Sequence, residues 1–361
     1  MRNLGIVGHG GVGKTSLVEA MLFATGATTR LGKVDDGTTT TDFDPDEIKR
    51  KISINTSVAH GDWKGHHVNL IDTPGYGDFI ADARAGLRVV EAAVVVVDAV
   101  SGVQVQTEKV WKFATEFNLP RAVVINRLDR ERADFFRTLD GLGRRLKGRL
   151  VPIHVPIGEE QGFSGYVDLV KQKAVTFADG KASEGDIPGP LADRAKEWRE
   201  KLVEAAAETD DDLLAKYLEE GSLDEPEMLK ALRAGIAEGK VMPVLCAAAS
   251  KGIGATALLD LAVEAFPSPA DRGEVSGIDG KTKQEATRAA DAKAPVTALI
   301  FKTLSDPHVG KLSLFRVYSG TLRNDSTLVN AAHGARERMG HISWLQGKTQ
   351  KNVDVLGPGE I

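Results

Sequence analysis

Residues Gly8-His9-Gly10-Gly11-Val12-Gly13-Lys14-Thr15 fit the pattern G-x-x-x-x-G-K-[ST] without a gap, and no other stretch of the chain restricts its fold as much. The pattern functions only between a strand and a helix, and both flanks comply. Asn3 to Val7 is a short apolar run of strand length, and Leu17 to Ala24 reads as an amphipathic helix. Glycines let successive backbone N–H groups turn inward around phosphate oxygens, while the helix N-terminus adds the positive end of its dipole. The phosphate-binding set is therefore Gly8, His9, Gly10, Gly11, Val12, Gly13, Lys14, Thr15 and Ser16, with the Lys14 charge toward the outer phosphates and the Thr15 hydroxyl toward Mg2+. The fold class is an α/β P-loop NTPase with a mostly parallel sheet and helices on both faces. The loop alone does not choose between ATP and GTP.

Two further elements each stand directly after an apolar strand, at the sheet edge where open α/β folds bind ligands. Asp72-Thr73-Pro74-Gly75 follows Val68 to Ile71 as a D-x-x-G element, which places Asp72 on Mg2+ through water and the Gly75 N–H at a γ-phosphate. Asn126-Arg127-Leu128-Asp129 follows Arg121 to Ile125 and approximates the guanine-reading pattern N-K-x-D. A carboxylate at Asp129 can accept from both the ring N1–H and the 2-amino group of guanine. Adenine offers an acceptor at N1 and no 2-amino group, so the order of the three elements selects GTP and GDP.

With these elements stand Ala93 to Ala99 with Gly102 and Gln106-Thr107-Glu108, Ala133-Asp134-Phe135-Phe136, Gly310-Lys311-Leu312-Ser313, and Arg316 to Leu322. On these residues the whole chain resembles the translational GTPases, elongation factor G and its elongation factor G-like paralogues. The resemblance implies GTP hydrolysis with Mg2+ and action on the ribosome, through rRNA and ribosomal proteins, in translocation or recycling. It implies a G domain over 1–157 and 241–267, an inserted α+β subdomain over 158–240, a linker over 268–294, and a β-barrel domain II over 295–361. The chain stops at Gly357-Pro358-Gly359-Glu360-Ile361, mid-barrel by the resemblance, so a fragment is expected.

Several positions depart from the family pattern. Catalysis is expected on Lys14, Gly75 and the residue after D-x-x-G, which is Tyr76 where the family has His. A phenol hydroxyl can hold water but carries no imidazolium-like charge. Gly11 stands where these factors usually carry Asp, and Arg127 replaces the Lys that packs along the guanine plane. In Arg50-Lys51-Ile52-Ser53 the switch I hydroxyl for Mg2+ falls to Ser53, and Ala248-Ala249 replaces Ser-Ala, leaving the Ala249 backbone N–H as donor to guanine O6. Two other readings accompany the leading one. One is a GTP-dependent ribosome-binding switch with little hydrolysis because of Tyr76. The other is a partitioning-type ATPase, whose signature Lys is replaced by His9.

Composition excludes other classes. A formal net charge of -5 argues against a protein that coats nucleic acid non-specifically. Cys246 is the only cysteine, so there is no internal disulfide and no cysteine-based metal cluster. Apolar runs such as Ala92 to Val97 are strand length, so no membrane insertion is indicated, and a cytoplasmic monomer is expected. The histidines His60, His66 and His67 read as solvated residues of a hairpin that joins Ile52 to Trp63 with His66 to Ile71. Thr38 to Thr41 reads as part of switch I, and Thr209 as the cap of a helix starting in Asp210 to Asp212.

Because the Asp129 carboxylate carries charge-assisted hydrogen bonds worth ~1.5 to 3 kcal/mol, Asp129→Asn should weaken GTP binding by about ten- to a hundredfold and favour xanthosine nucleotides. Competition of GTP, ATP and XTP against a fluorescent GTP analogue checks this. Equal competition by ATP and GTP on the unsubstituted chain would refute the base assignment.

Overall fold

The apolar strands ahead of the motifs lie side by side, because each is buried on both faces and only a sheet sandwiched between helices can cover them. The computed structural model of the chain describes residues 1–178, 181–280, 282–306 and 310–361. Its first half runs β1 (Arg2–Gly8), α1 (Lys14–Ala24), α2 (Pro45–Arg50), β2 (Ser57–Trp63), β3 (His66–Asp72), α3 (Ile80–Leu87), β4 (Ala92–Asp98), α4 (Val105–Glu116), β5 (Arg121–Asn126), α5 (Phe135–Arg145) and β6 (Leu150–Pro152). A second, antiparallel sheet follows in β7 (His154–Ile157), β8 (Gly165–Asp168), β9 (Lys173–Ala178) and β10 (Lys181–Gly185). Helices α6 (Ala192–Ala207), α7 (Asp211–Glu220) and α8 (Glu225–Ala237) lead back to β11 (Met242–Cys246) and α9 (Ala255–Glu264).

The large sheet has the order β2-β3-β1-β4-β5-β11-β6, parallel throughout except for the β2–β3 hairpin. Period-two alternation divides its strands between two cores. Val94 and Val96 of β4 enter the cluster under α1 and α9, whereas Val95 and Val97 enter the cluster under α3, α4 and α5. The inserted helices share the first of these cores: Leu202, Ala205, Leu232 and Ile236 belong to the cluster that holds Leu4 and Ile6.

Three local expectations change. Residues 52 to 55 are not strand; β2 begins only at Ser57, because the preceding residues turn inward toward the phosphate loop. The stretch expected as a linker contains a hairpin, β12 (Val275–Ile278) with β13 (Glu285–Arg288). The cap of α7 is Asp210, whose carboxylate accepts from the Asp212 and Leu213 N–H groups, while the Thr209 hydroxyl donates to Ala206 O.

From Thr297 the chain runs β14 (Thr297–Asp306), β15 (Gly310–Ser319), β16 (Leu322–Arg323), β17 (Thr327–Val329), β18 (Arg336–Arg338), β19 (Ile342–Gln346), β20 (Thr349–Val353) and β21 (Val355–Leu356). Among the described residues these pair antiparallel as β14 with β15, β16 with β21, β17 with β18 and β19 with β20, around Val317, Leu322, Ile342 and Leu356. So small a core gains from docking on the larger one. Arg316, 2% exposed, reaches from β15 into the first domain, where Nη1 donates to Val89 O (2.9 Å) and Nη2 lies 2.6 Å from Glu91 Oε1. The other Glu91 oxygen accepts from Asn3 Nδ2 at 2.8 Å. At the opposite end His60 and His67, expected in solvent, pack their rings against Trp344 of β19 at 5.8 and 5.3 Å.

Removing one partner of a buried ion pair strands the other charge, at a cost of ~3 to 5 kcal/mol. Arg316→Ala should therefore lower the urea midpoint clearly, and adding Glu91→Gln should recover part of the loss. Tryptophan fluorescence during urea unfolding reads both, and a double variant no more stable than the single one would contradict the ion-pair account.

Candidate functional site

The loops that leave β1, β3, β5 and β11 emerge at one edge of the sheet, as parallel connectivity requires. They line a cavity of about 240 Å³ with Gly10, Gly11, Gly13, Lys14, Thr15 and Ser16 on one side. Gly11 and Gly13 hold φ of 77° and 91°, the left-handed region that favours glycine. At Gly13 a Cβ would also stand 2.5 Å from Asn126 Nδ2. Three residues of the phosphate-loop set do not line the cavity. Gly8 ends β1, Val12 buries its side chain in the core, and His9 offers its carbonyl to Lys14 Nζ at 2.9 Å. Burial pulls the Lys14 ammonium down to about 8, against the opposing pull of Asp72 and Asp42. The D-x-x-G element lies tightly on this loop. A Cβ at Gly75 would collide with Lys14 Nζ and His9 O, and a Cβ at Gly10 would stand 2.8 Å from the Tyr76 ring.

Beside Lys14 a hydroxyl and carboxylate cluster forms from four chain segments. Thr15 Oγ1 and Thr41 Oγ1 each donate to Asp72 Oδ2 at 2.8 Å, and Ser53 Oγ stands 3.0 Å from Thr15 Oγ1. Asp72 Oδ1 is buried with no hydrogen-bond partner, and Asp42 lines the cavity alongside. Burial, reinforced by Asp72, pushes the Asp42 carboxyl up to about 7. Burial likewise pushes Asp72 up to about 6, against the two hydroxyl hydrogen bonds that lower it. These groups fit Mg2+. The donors are hard oxygens, one carboxylate oxygen is orphaned, and adjacent ligands around an ion with ~2.1 Å bonds lie about 3.0 Å apart, the separation that Thr15 and Ser53 already have. Thr41 and Asp42 were not in the set derived from the sequence; their only signal there was the end of a threonine run followed by Asp.

On the other side of the cavity Asn126 acts as a brace. Its Nδ2 donates to Val12 O and its Oδ1 accepts the Ala249 N–H, both at 2.9 Å. The reading that left the Ala249 N–H as donor to guanine O6 is thereby corrected: that N–H is committed to Asn126. Ala248 is buried and gives its N–H to Ile253 O, so it shapes the loop without facing the cavity. The neighbour that does line the cavity is Ser250, which sequence reasoning passed over, together with Arg127 and Arg130. Arg127 sits at φ 65° and donates from Nη1 to Asp98 Oδ2 at 3.1 Å, while Asp98 Oδ1 accepts from the Val100 and Ser101 N–H groups. Asp129 Oδ1 is buried and unpartnered, and Lys251 Nζ lies 3.6 Å from Oδ2. A buried acceptor without a donor is costly unless something supplies one.

Comparison with known proteins agrees with this arrangement. A family model described as the elongation factor Tu GTP binding domain matches residues 1–268, and one described as elongation factor G domain 2 matches residues 295–361. Among solved structures the chain is similar to a protein of Thermus thermophilus, with 35% identity and a TM-score of 0.87. The match covers 100% of this chain and 51% of that one, so the chain spans about half the length of that neighbour. Among the described residues no helix is long and apolar enough to cross a membrane.

The raised carboxyls give a pH dependence of known sign. A carboxyl whose folded pKa lies above its unfolded value of ~3.9 stabilises the fold while protonated and loses that contribution as pH rises through the folded pKa. Asp72 and Asp42, at about 6 and about 7, should make the metal-free chain less heat-stable as pH climbs through that window, and the gain from Mg2+ should grow over the same window. Thermal melts with and without Mg2+ at stepped pH measure both; a Mg2+ gain independent of pH would contradict the assignment.

Proposed function

The chain belongs to the translational GTPases of the elongation factor G type, and on that premise we propose that it binds GTP with Mg2+, hydrolyses it, and acts on the ribosome in the cytoplasm as a translocation or recycling factor. The observation that carries this reading is the convergence of the phosphate loop, the 41–53 segment and the D-x-x-G element on one cavity whose far wall holds Asn126 and Arg127. Lys14 and the phosphate-loop N–H groups bind the outer phosphates. Thr15, Ser53 and Asp72, joined by Thr41 and Asp42, would hold Mg2+, which supplies charge neutralisation for the transferred phosphoryl group. Asp129 reads the guanine edge with its unpartnered oxygen. The Gly75 N–H senses the γ-phosphate.

One observation favours the second reading, a ribosome-binding switch with little hydrolysis. Tyr76, the side chain placed to orient the attacking water, has its ring packed on Gly10, and only its outer part is exposed. The partitioning-type ATPase reading has no such support, since the matched model over residues 1–268 is a GTP-binding domain.

A group that orients water or moves a proton contributes ~10²- to 10⁴-fold to rate. Intrinsic turnover should therefore be very slow, and Tyr76→His should raise ribosome-stimulated single-turnover hydrolysis without changing nucleotide affinity. A rate unchanged or lower, with binding intact, would show that the phenol already positions water or that another group does. No turnover in either protein, with GTP-dependent ribosome binding retained, would establish the switch.

A further inference from the structure

Two buried carboxylates outside the metal cluster form no ion pair among the described residues, and both are spent on the same segment. Glu19, on α1 and 1% exposed, accepts from the Thr40 N–H at 2.6 Å and lies 3.3 Å from the Thr40 hydroxyl. Glu47, on α2 and equally buried, accepts from the Ile54 and Asn55 N–H groups at 2.9 Å each through Oε1 and from the Asp44 N–H at 3.2 Å through Oε2. Burying a charge that pairs only with backbone donors is expensive, and the structure accepts that cost twice within one strap of chain. The two attachments flank the cluster residues. Glu19 fixes the arm that carries Thr41 and Asp42, and Glu47 fixes the arm immediately after Ser53.

We propose that Glu19 and Glu47 are positioning residues for the triphosphate state: each fastens one arm of the strap, and the hydroxyls of Thr41 and Ser53 meet Asp72 and Thr15 only while both carboxylates hold. Neither side chain touches the nucleotide site. Their effect passes through the backbone, by fixing where the Ser53 and Thr41 Oγ atoms lie. The proposal rests on the GTP and Mg2+ reading of the cavity given above. It extends that reading to residues that line no part of the site, since Glu19 and Glu47 are absent from the cavity wall.

The consequence is selective. GDP lacks the phosphate that draws the strap in, so loosening an arm should leave GDP affinity alone while weakening GTP. Loss of hydrogen bonds to a charged group, ~1.5 to 3 kcal/mol, corresponds to about tenfold or more. Glutamine keeps a carbonyl oxygen able to accept the Ile54 and Asn55 N–H groups, so it should restore most of what alanine removes.

The test titrates the whole chain with N-methylanthraniloyl GTP and GDP, with Mg2+ and with EDTA. Glu47→Ala is expected to weaken GTP about tenfold, leave GDP within about twofold, and flatten the Mg2+ dependence of GTP binding. Glu47→Gln is expected to recover most of the GTP affinity. An equal loss for GTP and GDP, no loss for either, or a Gln variant as weak as Ala would overturn the proposal, since a merely structural role would move both nucleotides together. If Glu47→Ala does not fold, the same series at Glu19 applies with the same expectations. Failure of the underlying reading shows separately, in an unsubstituted chain that binds neither guanine nucleotide.

Discussion

Asp72 is the point on which the ligand-facing edge of the large sheet depends. It is the last residue of β3, it is 2% exposed, and it accepts hydroxyl hydrogen bonds from Thr15 on α1 and Thr41 on the strap. A carboxylate in that position must recruit donors or a cation, because water cannot reach it. Each donor it recruits belongs to a different segment, so satisfying one buried charge fixes the relative placement of the phosphate loop, the D-x-x-G element and the strap. Lys14, buried alongside, is bound by the same logic and places its ammonium against the His9 carbonyl. The cavity exists because these charges are held apart from solvent and from each other.

Much of this was legible in the sequence, and the parts that were not share a physical reason. The motif residues Lys14, Thr15, Asp72 and Asn126 can be found by spacing, because each is fixed by a strand end and strand ends are fixed by apolar runs. The parallel sheet follows from the alternation of strands and helices. Thr41, Asp42, Glu19 and Glu47 carry no such marker. Their placement comes from an irregular strap whose path is decided by tertiary hydrogen bonds, and a threonine run or a helical glutamate looks the same whether it is buried or solvated. Asn126 is a different case. The residue was readable, but its hydrogen bonds to Val12 O and the Ala249 N–H were not, and those bonds withdraw from the base site the very N–H that the motif would supply. The histidines misled for a third reason: alternation along β2 and β3 cannot foresee that a distant strand brings Trp344 onto their rings.

The docking of the second domain extends the same constraint across the molecule. The core of that domain is Val317, Leu322, Ile342, Leu356 and their partly buried neighbours, too little apolar surface to fix an orientation by itself. Orientation comes from polar contacts at two ends. One is the Arg316 ion pair with Glu91. The other is the tip of the β19–β20 hairpin, where the Gly347 N–H donates to Val58 O at 3.0 Å and a Cβ would collide with the Thr40 carbonyl.

That second contact ties the hairpin to the strap itself. Thr40 is held from one side by Glu19 and approached from the other by Gly347, so the backbone there is clamped between α1 and the hairpin turn. Gly347 sits at φ 57°, and both that conformation and the missing side chain are needed for the close approach. A strap that withdraws from Asp72 must carry Thr40 with it, and Thr40 cannot move outward without meeting the turn. The hairpin therefore shares in any rearrangement of the strap, and the rigid far end at Arg316 turns a local displacement into a rotation of the whole β-rich domain about its buried ion pair.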